Sequence, residues 1–340
     1  MDGYLFDEPA APPPTEPAAE GPRCLVVMYH YVHDDSEPQP LRAEGVVGLS
    51  VREFEQQLDQ LCTALEPVSW RSLYAWTQGE AALPQRSFLL TFDDGLADHA
   101  RVVAPILHRR GLRGVFFVPG AVLTEGTLLS AHAIHLLLSL LGEQELQAHL
   151  LDYLNREVEQ KDWLAEVDDE AARRLYHYEA ISRAKLKYFL AMTLPAAVRR
   201  TAVEALFTEH IGSARRWAQE WYLQREDVCS LQAQGHTIGG HGHSHEPYFR
   251  LSAGAARGDA QHVAHVLNEI VGPDLRPFSY PYGGYSSDAA EAVATAGFVH
   301  AFTTERRWVE PGCRSFALPR TDTIYVEAEL AAEPASCPVP

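Results

Sequence analysis

The chain has 340 residues, 46% hydrophobic and 10% aromatic, with a net charge of −18, which suits a folded protein with a real core in one large barrel or two ordinary domains. That acidic balance argues against a nucleic-acid partner, which needs a basic face, and offers no attraction to anionic membranes. Residues 1–22, rich in Pro, Ala and Glu, read as a disordered tail, and 327–340 as a second flexible one. Between them short apolar strands alternate with helical patterns, the mark of an α/β fold with parallel strands. Leu25–Tyr29 is the first strand and ends at His30. Val51–Leu65 carries Phe54, Leu58, Leu61 and Leu65 at helical spacing. Ser87–Phe92 is the next strand, Ala100–Arg110 its crossover helix, and Gly114–Val118 a third strand closed by Pro119-Gly120.

From about 125 to 220 the rhythm breaks into helical patterns (Leu136–Leu141, Leu146–Leu154, Tyr188–Phe207), read as a helical insertion. It could be a lid, a surface for homo-oligomer contacts or inert elaboration. Downstream, the helix Glu226–Gln234 leads to the strand Thr237–Gly240 and His241. A helix over Ala255–Ile270 precedes the strand Pro277–Tyr280, and Ser287–Ala296 is helical before the strand Val299–Thr303. A strand-like stretch, Ser315–Arg320, comes last. The barrel therefore spans 23–326, interrupted by the insertion.

Five cysteines (Cys24, Cys62, Cys229, Cys313 and Cys337) include no CxxC pair, so neither a zinc ribbon nor a disulfide framework is indicated. No basic and apolar leader opens the chain, and no stretch approaches the ~18–20 apolar residues of a membrane span. A cytoplasmic protein is expected.

The chemistry concentrates at strand ends. Asp93 and Asp94 close one strand, His241 and His245 follow another, and His30 and Pro281-Tyr282 end two more. In a parallel barrel functional residues gather at that rim. One carboxylate and two imidazoles form the ligand set of a catalytic zinc with an open position, and a second carboxylate could take a proton from its water. Adjacent residues at a strand end point to different faces, so one aspartate can hold a metal while its neighbour does not. His243 is a rival ligand, assigned instead to packing or a supporting hydrogen bond. His132 and His135 read as helix-surface residues, and Trp221 and Tyr222 as core.

These segments resemble the polysaccharide deacetylase (NodB-homology) family of metal-dependent carbohydrate esterases. Thr91–Gly95 matches its first motif, whose first Asp is the general base and whose second is a metal ligand. That resemblance implies Asp93 as base and Asp94, His241 and His245 as ligands to a divalent metal, zinc first, with cobalt or nickel as alternatives. His241 and His245 match a His-Ser/Thr-x-x-His motif in which Gly242 departs from Ser/Thr. Ser279–Gly283 looks like the third motif without its usual arginine, and the C-terminal Leu-x-His that supplies the general acid is absent. Met28–Val32 resembles the Tyr-His segment of the poly-N-acetylglucosamine deacetylase branch, which implies His30 as the acid. Tyr282 would supply an oxyanion N–H, with Tyr280 and Pro281 beside substrate. Arg320 and Asp322 could replace the missing arginine, hold substrate or form a surface salt bridge. The resemblance implies a distorted (β/α) barrel and removal of an N-acetyl group from an amino sugar, free or carrier-linked. Hydrolysis of a formamide or another non-peptide amide on the same site, or an inactive carbohydrate-binding relative, are the alternatives.

Overall fold

A computed structural model describes residues 21–33, 48–157, 167–176 and 179–332. The tails expected at 1–22 and 327–340 lie largely outside the described residues, except that Val326–Ala331 is a helix. The chain divides into two compact units. One contains the first strand, Gly48–Glu125 and the segment from Trp221 onward; the other contains Gly126–Glu220.

In chain order the strands are β1 (Arg23–Tyr29), β2 (Val32–His33), β3 (Leu49–Ser50), β4 (Glu66–Pro67), β5 (Arg86–Phe92), β6 (Gly114–Val118), β7 (Thr237–Gly240), β8 (Pro277–Ser279), β9 (His300–Phe302) and β10 (Thr321–Asp322). Eight of them form one sheet in the order β10-β1-β5-β6-β7-β8-β9, with β4 also on β5. Every pairing in it is parallel. Buried apolar side chains cover both faces of β1, β5 and β6, as a parallel sheet wrapped in helices requires. The helix Val51–Ala64 shows why the intervening segments coil. Ser50 and Glu53 form a reciprocal capping box, and Phe54, Leu58 and Leu61 face inward.

The sheet curls into the expected distorted (β/α) barrel, and the stretch expected as a last strand completes it differently. Ser315–Arg320 is not a strand. It runs beside β9 through Ala301 N–H to Ser315 O (2.9 Å), Leu318 N–H to Ala301 O (2.8 Å) and Thr303 N–H to Leu318 O (2.9 Å). The chain then steps across to β1, where Thr321 and Asp322 pair with Val27 and Met28. One segment thus covers part of both sheet edges, beside β9 and beside β1.

The second unit is helical throughout its described secondary structure. Ser130–Glu157 is interrupted at Gly142, which takes a φ of 71°. Leu136, Leu137 and Leu138 on one side and Leu146, Leu150 and Leu154 on the other are buried. The single helical pattern expected over Tyr188–Phe207 divides at Leu194-Pro195. Proline has no N–H for a continuing helix but suits a helix start, and Ala196–His210 begins immediately after it.

Candidate metal centre and its carboxylate neighbour

The ends of β5 and β7 bring three of the expected ligands together. Oδ1 of Asp94 lies 3.2 Å from Nε2 of His241 and 3.0 Å from Nε2 of His245. These are the one set of three or more metal-ligating groups found among the described residues, with donor atoms all within 4.8 Å of one another. The His241 ring is fixed from behind, because Nδ1–H donates to the Ser279 carbonyl at 2.7 Å. That tautomer leaves the lone pair of Nε2 facing Asp94, the arrangement a metal-binding histidine needs. Burial opposes a charged His241, but Asp93 and Asp94 outweigh it and raise its pKa. A buried carboxylate beside two inward-facing imidazole nitrogens fits a divalent cation in charge and in donor type. Asp94 reaches this position at φ 75°, followed by Gly95 at φ 62°, so two consecutive left-handed residues turn the chain at the strand end.

Asp93 points elsewhere. Its N–H still continues the ladder, donating to Tyr29 O at 3.0 Å. Its carboxylate meets Arg320 in a fork, with Nη1 to Oδ1 and Nη2 to Oδ2 both at 2.8 Å. Arg320 is fully buried, donates through Nη2 to Ser279 Oγ (2.8 Å), through Nη1 to Thr91 Oγ1 (3.2 Å) and through Nε to Thr303 O (3.0 Å). Ser279 Oγ–H in turn donates to Asp93 Oδ2 at 3.2 Å. Of the three roles open to Arg320 in the sequence, the fold places it on Asp93. A surface salt bridge is excluded by its burial.

Burial alone would push the Asp93 carboxyl up. Arg320, and then His241, outweigh it and hold it at about 2, below the ordinary 3.8. A depressed folded pKa stabilises the protein above the unfolded pKa and loses that contribution as pH falls through the folded value. The contribution is about 2 kcal/mol. Urea unfolding should therefore show a stability loss between about pH 4 and pH 2 that is smaller in Asp93→Asn.

The remaining candidates separate. His30 follows β1 and is half-buried. Its carbonyl accepts from Nε2–H of the fully buried His99 at 2.9 Å. Burial pushes His99 below its ordinary range. Tyr282 has a φ of 61° and sets its ring 5.5 Å from that of His245. Tyr280 does not face the rim. It is fully buried, stacks on Tyr285 at 5.0 Å and donates its hydroxyl to Phe316 O at 3.3 Å, so it packs where substrate contact was expected. Pro281 is buried as well. Asp322 caps a short helical turn by accepting from Ile324 N–H at 3.0 Å, a local structural duty in place of substrate binding. His243 supports the site without joining the ligand set, with Nε2 3.0 Å from Glu125 Oε1. Trp221 meets Tyr31 edge-on at 5.9 Å, while Tyr222 is fully buried.

Residues 200–301 match the family model described as polysaccharide deacetylase, a span holding His241, His245 and Ser279–Gly283. Over that stretch the chain is similar to the polysaccharide deacetylase family. Asp93 and Asp94 lie outside the matched span, yet the fold joins them to it. IcaB from Ammonifex degensii is similar at 19% identity and a TM-score of 0.55, over 92% of this chain and 97% of that one. PplD, a deacetylase from Streptococcus pyogenes solved with acetate, is similar at 14% identity and a TM-score of 0.56, over 92% of this chain and 100% of that one. A de-N-acetylase from Aggregatibacter actinomycetemcomitans is similar at 17% identity and a TM-score of 0.52, over 88% of this chain and 94% of that one. At these identities the likeness is one of fold. A search of curated proteins finds no match. Among the described residues no helix is long and apolar enough to cross a membrane.

Proposed function

We propose that the chain is a metal-dependent deacetylase that removes an N-acetyl group from an amino sugar. The observation that carries this reading is the division of labour between neighbours: Asp94 joins His241 and His245, while Asp93 is locked to Arg320. Asp94, His241 and His245 would hold the ion, with Zn2+ as first choice and Co2+ or Ni2+ as alternatives. When bound, such an ion supplies Lewis acidity and brings the pKa of a coordinated water toward ~7.

Asp93 accepts the proton of the attacking water. Arg320 holds that carboxylate ionised and fixed in place until the proton arrives. The hydroxide adds to the acetyl carbonyl, and the resulting oxyanion is assigned to the backbone N–H of Tyr282. His30 protonates the departing amine, which is otherwise a poor leaving group. The names of the de-N-acetylase and of the acetate-bound deacetylase among the structural neighbours support acetate as the product.

His30→Ala should lower kcat by roughly 10²- to 10⁴-fold while metal content stays at the wild-type level. Unchanged turnover would remove His30 from the acid role. The function itself is tested by metal analysis after reconstitution, with a screen of acetylated and formylated amino sugars, free, carrier-linked and polymeric, for acetate or formate release. Stoichiometric metal and acetate release support the proposal. A chain that takes up no metal overturns it, and formate release alone moves it to a deformylase.

A further inference from the structure

The two ligand histidines sit on the loop between β7 and the helix Ala253–Val271. Gly242 takes a φ of 67° and His245 one of 56°. A left-handed conformation costs a non-glycine residue on the order of 1 kcal/mol, so His245 must be held there by its surroundings. The Gly242 and His243 carbonyls accept from the N–H groups of Gly120 and Ala121, each at 3.0 Å. The other side of the loop is held by one carboxylate, that of Asp259. Its Oδ1 accepts from His243 N–H and from the Tyr248 hydroxyl, both at 2.7 Å. Its Oδ2 accepts from Ser244 N–H at 2.9 Å and from Ser244 Oγ–H at 2.6 Å. Burial, and then the charge of Asp259, push the Tyr248 hydroxyl well above its ordinary range, so it remains a donor.

The same carboxylate constrains position 242. A Cβ there would lie 2.9 Å from Asp259 Oδ1 and 3.1 Å from the Tyr248 ring. Glycine at this point, where the family motif has Ser or Thr, leaves Asp259 room to approach the backbone.

We propose that Asp259 is a positioning residue for the metal centre, gathering four donors of the His243–Tyr248 segment so that His241 and His245 present their nitrogens together. The inference rests on the metal reading above. An asparagine at 259 would set an amide NH2 against two of those donors, whereas Ser244→Ala and Tyr248→Phe each remove a single bond.

Zn2+ affinity by chelator competition, the visible spectrum of the Co2+-loaded protein and the melting temperature of the metal-free protein form the test. Asp259→Asn should weaken Zn2+ binding roughly 10- to 100-fold and alter the Co2+ spectrum, and Ser244→Ala and Tyr248→Phe should each cost a few-fold in affinity. If Asp259→Asn does not fold, the two single-bond variants carry the test. Wild-type affinity and an unchanged spectrum in folded Asp259→Asn, or in both single-bond variants, overturn the positioning role alone. A wild-type chain that binds neither ion overturns the metal reading and this inference with it.

Discussion

Asp93→Asn should lose roughly 10³-fold in turnover while still taking up metal. The substitution keeps the size of the side chain but removes its charge and turns one acceptor into a donor. Arg320 Nη1 retains a partner at Oδ1, but Nη2 and Ser279 Oγ–H then face an amide NH2. The loss of activity therefore comes with a loss of stability of about 3–5 kcal/mol, because a buried guanidinium is left without its anion. Metal content, melting temperature and kcat measured together separate the effects. A metal-loaded Asp93→Asn protein of wild-type turnover would refute the base assignment.

Arg320→Met has the opposite electrostatic consequence. Without the arginine, burial acts on Asp93 with little opposition, and its pKa rises from about 2. The unpaired carboxylate should cost about 3–5 kcal/mol of stability. Turnover should acquire an acidic limb, falling as pH drops through the raised pKa, because only the ionised form accepts a proton. The double variant Asp93→Asn/Arg320→Met should be more stable than the sum of the single losses predicts, since neither charge is then stranded. Additive losses would show that the fork carries no coupling energy.

How much of this site can be read from the sequence depends on distance along the chain. A buried strand ending in Asp93-Asp94-Gly95, and another ending in His241, are local patterns, and both strands lie where the pattern puts them. Arg320 has three open roles in the sequence because its meaning depends on which residues lie opposite it across the sheet. Ser315–Arg320 misleads for the same reason. It is apolar enough to suggest a strand, but it spans the gap between β9 and β1, and only Thr321 and Asp322 join the sheet. Asp259 has no local signal at all, since an aspartate in a polar helical stretch reads as solvent-facing. Ser279 and Thr91 stand in recognisable motifs, yet their hydroxyls serve Arg320, a partner no motif names. Tyr280 shows the converse, because its motif suggests the rim while its ring fills an aromatic cluster with Tyr248, Phe278 and Tyr285.

The segment that covers part of both sheet edges also sets an order of events. Asp93 and its counter-ion are 227 residues apart, so on the ribosome the aspartate emerges long before the arginine. Until Arg320 arrives, a compact nascent barrel would have to bury an unpaired carboxylate or protonate it, and each course is unfavourable. The early strands can pair, but their rim would then carry the unpaired charge of Asp93. Completion of this corner of the barrel then waits for Arg320, and a nascent chain halted short of it would hold Asp93 without its counter-ion.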